Sequence, residues 1–407
     1  MKTPEAKVEL GFAMCENSFN MIQRSSSVGD LVGGVAVPGE ESNSDEGWAV
    51  VESDTRKVLQ GAKAWGLRGF SKDPNELRSV EHDSEVLCAC TTGANCVAVG
   101  CGDGTIRLHD LSTTDDESVS KLLGHERAVH CLCLLSEEVL ASGSGDNTVR
   151  TWNLGTKETL QVLSGHTGMV LGLARLNDTQ LASASDDTTI RLWDVAKPED
   201  VRALQGHTSA VRCLCLTSAG ILVSGSDDRT LRVWNSDTGE ELQVLPGHTF
   251  WVLCLCQASA ELLASGSNDN TVRLWDLTSW TTVRILEGHT GRVYSLCLLA
   301  PNYLAAGGHG RLQVWRVESG EPLHEIEKAH SDGIQALTVA KVRGEPVLCS
   351  GSLDSTLKLW QLQAWGKWDG SRGDERKPSS GDLNPLSSPC RTHSFRVIES
   401  PLSEARP

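Results

Sequence analysis

Across its 407 residues the chain never approaches the run of about 18 apolar residues that a membrane-spanning helix needs. Nor does it carry an excess of basic side chains: 37 Lys and Arg stand against 53 Asp and Glu, a formal net charge of −16. Proteins that hold phosphate backbones or anionic lipid indiscriminately need surplus cations, so neither nucleic acid nor a membrane is expected as a partner. The first residues, Met-Lys-Thr-Pro-Glu, meet an acid before the apolar core of an export signal can form. A soluble protein of the cytoplasm or nucleus is expected. There the 14 cysteines read as free thiols, because a chain this long does not depend on disulfide staples.

What is present is repetition. Histidines recur at His125, His166, His207, His248, His289 and His330, each interval being 41 residues, and Trp152, Trp193, Trp234, Trp275, Trp315 and Trp360 follow in step. A period near 40 that runs from Gly-His to Trp-Asp is the pattern of a β-propeller blade. Within a unit, apolar alternation marks four short strands, at 129–134, 139–144, 148–152 and 160–163 in the unit of His125. One such sheet exposes its faces and edges, so units of this kind are stable only when packed around a closed ring. Counting from His82 there are seven, and the expectation is an all-β, seven-bladed propeller over residues 76–362. Residues 76–80 precede His82 as residues 241–245 precede His248, so the N-terminal segment is expected to complete the last blade. Residues 1–75, with Ser, Gly and acidic clusters, are expected to be a mostly disordered arm, and 363–407 a flexible Ser/Pro-rich tail with candidate kinase sites at Ser388-Pro389 and Ser400-Pro401.

These Gly-His and Trp-Asp units resemble the WD-repeat family. The resemblance implies a buried hydrogen-bonded set of His, Ser, Asp and Trp in each blade. Carried onto this chain, the fullest sets are His125, Ser142, Asp146 and Trp152; His166, Ser183, Asp187 and Trp193; His207, Ser224, Asp228 and Trp234; His248, Ser265, Asp269 and Trp275. A recurring His-Ser-Asp invites a hydrolase reading, but one active site does not need at least four copies, each with a Trp, so no catalytic residue is assigned. Departures mark weaker units. The first has Glu81-His82 and His109 in place of Gly-His and Trp, the sixth has His309 where the turn Asp is expected, and the last opens with Ala329-His330.

Two other patterns are set aside. Cys88/Cys90, Cys131/Cys133, Cys213/Cys215 and Cys254/Cys256 have Cys-X-Cys spacing, but alternation puts both thiols of a pair on one face and each pair on a different blade. Four ligands do not converge, so no metal and no cofactor are expected. Gly100-Cys-Gly-Asp-Gly104 lacks the Lys-Ser/Thr and the helix of a phosphate loop.

The functional reading rests on residues that vary just after each Gly-His: Glu85, Arg127 with His130, Met169, Arg212, Phe250 with Trp251, Arg292 with Tyr294, and Gln335. In the family these positions lie on the narrow top face, and Arg and aromatic residues gathered at an opening are typical anchors. Arg127, Met169, Arg212, Phe250, Trp251, Arg292 and Tyr294 are therefore the expected partner-binding residues of a non-enzymatic scaffold, a monomeric ring within a larger assembly. The alternative is a substrate receptor of a cullin-type ubiquitin ligase. Arg212 and Tyr294 resemble phosphopeptide-binding positions of F-box/WD-repeat receptors, but Asp186, Asp227 and Asn268 stand where arginines are expected, and no F-box is recognisable. Trp48-Ala-Val-Val51, preceded by acids, resembles the short motif by which autophagy receptors add a strand to ubiquitin-like proteins.

Overall fold

The computed structural model describes residues 75–113 and 119–362. The Trp48–Val51 motif, the Ser-Pro sites, nearly all of the N-terminal arm and the tail lie outside them.

Val, Cys and Leu alternating along short segments, with turn residues between, build strands with one deeply buried face. In Val129–Leu134, Val129, Cys131 and Cys133 are buried while His130, Leu132 and Leu134 are half-buried. The described residues form seven four-stranded antiparallel sheets. Numbered from His82, the blades are 86–122, 129–164, 170–204, 211–246, 252–286 and 295–326, with blade 7 formed by 334–361 and Glu76–Glu81. The first strand of each blade packs against the first strands of its two neighbours, and that of blade 7 returns to that of blade 1. The ring is closed by Glu76–Glu81, which pairs antiparallel with Thr356–Gln361 as blade 7's outermost strand. A bulge between Glu76 and Arg78 takes up an offset in this register, and Lys358 Nζ meets Glu76 at 3.1 Å.

Small residues let the blades approach. Cys131 pairs with Gly143, where a Cβ would stand 2.5 Å from the Cys131 sulfur and 2.5 Å from a methyl of Val170 in the next blade. Blade 3 exchanges the two sizes, pairing Gly172 with Ala184. The thiols also stitch the inner joints: Cys88 donates to the Val129 carbonyl at 3.4 Å, Cys131 to Val170 at 3.8 Å, Cys213 to Val252 at 3.9 Å and Cys254 to Val293 at 3.6 Å. At the next joint the Ser295 hydroxyl takes the same part, 2.8 Å from the Ile334 carbonyl. The closing joint is held differently, by Thr91 Oγ1 on the Val339 carbonyl at 2.9 Å.

Candidate functional site

The repeated side-chain set has one geometry in blades 2, 3, 4 and 5. In blade 2, His125 Nδ1 is 2.7 Å from Asp146, His125 Nε2 is 2.7 Å from the Ser142 hydroxyl, and Trp152 Nε1 donates to the same hydroxyl at 2.7 Å. A carboxylate only accepts, so Nδ1 carries the proton and Nε2 accepts from Ser142. The other carboxylate oxygen takes the Thr148 backbone N–H and hydroxyl at 3.0 and 2.6 Å. Burial works to raise the pKa of Asp146, but hydrogen bonds from Thr148 and His125 override it and hold the carboxyl at about 2. Asp187 is held at about 2 in the same way, and Asp228 and Asp269 lie well below the usual range. The connectivity is that of a Ser-His-Asp triad, yet Ser142 is fully buried and already accepts from an indole. No acyl carbon reaches that oxygen.

The glycine before these histidines is there for room. A Cβ on Gly124 would stand 2.9 Å from Arg150 Nη1 and 3.1 Å from the Trp152 ring. Blade 7 tolerates Ala329 at this position, and there the arginine's place is taken by Lys358, which lies over Trp360 instead.

Three blades depart from the expectation. Blade 7 has a complete set that the forward count from its histidine misses: His330 meets Asp354 at 3.0 Å and Ser350 at 2.7 Å, and Trp360 donates to Ser350 at 2.7 Å. Counting back from the Trp finds it, because Ser350 and Asp354 precede Trp360 by the same steps as Ser142 and Asp146 precede Trp152. Blade 6 has lost two members, where the sequence indicated one. Its turn is a residue shorter, Ala306 takes the serine's place, and Gly308 faces His289 where the Asp belongs, while His309 points outward with its side chain 68% exposed. His289 Nε2 and Trp315 Nε1 are consequently buried without a hydrogen bond. In blade 1 the buried Arg107 takes over, 3.3 Å from His82 Nδ1 and 3.1 Å from Asp103.

The expected binding residues lie at the end of the ring where the first strands begin, here called the mouth. Backbone bonds join two positions there in blades 3, 4 and 5: Asp186 N–H to the Met169 carbonyl, Asp227 N–H to Ala210, and Asn268 N–H to Trp251, each at 2.9 Å. Arg212 is gripped by Asp227 through two hydrogen bonds of 2.8 and 2.6 Å and lies 5.6 Å from the centroid of the Trp251 ring. Burial works to lower the Arg212 pKa, but the bonds and charge of Asp227, with Asp186 behind them, raise it. The Phe250 and Trp251 rings are 5.4 Å apart and stay 46% and 37% exposed. Met169 is also exposed. Arg212, Phe250 and Trp251 are thus brought together, and Asp227, which stands where the resemblance to F-box/WD-repeat receptors expects an arginine, is matched by Arg212. Arg127 and Arg292 stand exposed on blades 2 and 6, and Tyr294 is half-buried, with its ring edge 3.0 Å from where a Cβ on Gly333 would lie.

Closed topology and a polar set repeated from sheet to sheet define a seven-bladed β-propeller. Residues 129–361, more than half of the chain, match the family model of the TEP-1 second beta-propeller, and the chain belongs to that family. No curated protein matches it.

Proposed function

We propose that this protein is a non-enzymatic scaffold that holds segments of partner proteins at the mouth of its ring, acting in the cytoplasm or nucleus as one ring within a larger assembly. The observation that carries this reading is the Phe250–Trp251 pair, its rings in contact at a 53° tilt and left 46% and 37% exposed beside the Arg212–Asp227 ion pair. Rigid aromatics next to a fixed guanidinium are the residue types that dominate binding energy at protein interfaces. The ubiquitin-ligase reading gains nothing here, because Arg212, which would have to hold a phosphate, spends its charge on Asp227. To test the scaffold reading, partners recovered on the unmodified chain are compared with those recovered on Phe250→Ser/Trp251→Ser and on a rim control, Val283→Ser/Ile285→Ser. The mouth variant is expected to lose the specific partners and the rim control to keep them. Equal recovery by all three would refute the reading.

A further inference from the structure

Among the charges of the mouth, those of Arg212 and Asp227 cancel. Asp227's side chain is 8% exposed and Arg212's 30%, so the pair presents a neutral, pre-oriented guanidinium edge to the opening. Asp186 is different. It is exposed on blade 3, and its side chain has no hydrogen-bond or ion-pair partner among the described residues. Its electrostatic influence reaches Arg212, which places its carboxylate beside the same opening.

The order around the ring gives this surface a direction. Three residues after the anchoring histidine come Met169, Ala210, Trp251 and Arg292, in blades 3, 4, 5 and 6. From blade 3 to blade 6 the mouth therefore offers an unmatched acid with a thioether, then the neutral pair, then two exposed aromatics in contact, then an exposed base. The chain as a whole carries a net charge of −16, which draws basic partners and slows acidic ones.

We infer that the occupant of the mouth is an extended peptide segment carrying a Lys or Arg side chain for Asp186 and a large apolar side chain for Phe250 and Trp251, with any acid of the segment lying toward Arg292. This rests on the scaffold reading and narrows it to one chemistry. A neutralised Arg212 donates to a peptide carbonyl without demanding an anion, and its guanidinium, 5.6 Å from the centroid of the Trp251 ring, helps fix that ring beside the apolar residue. A phosphopeptide is disfavoured on the same grounds, since its phosphate would approach the Asp186 carboxylate while the charge of Arg212 is already matched by Asp227.

The test is selection of a random, unphosphorylated dodecapeptide library on the intact chain, followed by anisotropy titration of the enriched peptides as synthetic fluorescein conjugates. Enriched sequences should share a Lys or Arg close to a Trp, Phe, Leu or Met. Their affinity should fall about tenfold or more in Asp186→Lys and in Trp251→Ser, less in Asp186→Asn, and should weaken with added salt, charge pairs near a surface being screened over about 10 Å at 0.1 M. Thermal melts of each variant separate loss of binding from loss of fold. Peptides that depend on Trp251 but are acidic, or do not respond to either Asp186 substitution, overturn the cationic inference and leave the scaffold reading standing. Enriched peptides indifferent to Trp251 and Asp186 alike overturn both, as does a library in which nothing is enriched.

Discussion

His330 and Asp354 meet at 3.0 Å although 24 residues separate them, whereas the equivalent pairs of blades 2 to 5 are 21 residues apart. The extra length is taken up by a longer hairpin, Ile334–Val342 with Glu345–Ser352, which reverses at Arg343 and Gly344, both with positive φ. The added residues lie at the end of the blade away from the histidine, so the network closes unchanged.

Asp354→Ala should therefore destabilise the ring as much as Asp187→Ala, each leaving a buried imidazole without its acceptor at a loss of roughly 1–3 kcal/mol. His309→Ala should leave the melting temperature unchanged, its side chain being 68% exposed. Thermal denaturation followed by circular dichroism compares the three. A shift for His309→Ala equal to the other two would contradict the assigned networks.

Blade 6 can be repaired. Ala306→Ser restores a hydroxyl where Trp315 Nε1 can donate and His289 Nε2 can accept, both buried and unbonded now. A gain of about 1 kcal/mol is expected. A lower melting temperature for the variant would mean that the pocket around residue 306 lacks room for the oxygen.

Acid should weaken the same blade first. Burial, with the Arg311 charge adding, pushes His289 from 6.5 down to about 4. Between those values the unfolded chain holds the proton and the native state does not, so stability falls as the pH drops from 6.5 to 4, by about 3 kcal/mol for this group. The depressed carboxyls act later: the stability that Asp146 and Asp187 contribute is present above 3.8 and is lost as the pH falls toward about 2. Urea midpoints from pH 7 to 4 should decline more gently in His289→Leu than in the unmodified chain, and parallel declines would rule this assignment out.

Closure can be tested by truncation. Removing residues 1–70 spares the strand Glu76–Glu81, whereas removing 1–81 strips the outer edge of blade 7, including the Glu76–Lys358 pair. The first product should resist limited proteolysis as a monomer, and the second should be cleaved within blade 7 or aggregate. Identical digestion patterns would show that the strand is dispensable.

The ring, its seven units and its closing strand were legible because alternation and a fixed interval are local properties of the chain. The polar sets were legible wherever that interval holds. In blade 6 the count forward from His289 reaches Ala306, but the residue missing from the turn puts the count back from Trp315 out by one, and in blade 7 inserted residues displace Ser350 and Asp354 from the forward count. The grip of Asp227 on Arg212 was not legible, because it depends on how the turn after the second strand folds back beside the first. The sequence could supply both residues as mouth positions, but their mutual neutralisation is a property of three-dimensional reach.

The thiols at the inner joints give this ring a built-in clock. Cys88, Cys131, Cys213 and Cys254 are buried with their pKa values raised, burial being the leading cause, so an alkylating reagent meets a reactive thiolate only when a seam parts. Each marks a different seam, and the seams of Gly172, Ser295 and Ala336 carry no reporter of this kind. The rate at which each cysteine takes up label, resolved by peptide mass, thus measures how often its own pair of blades breathes apart, one seam at a time, without a probe being introduced.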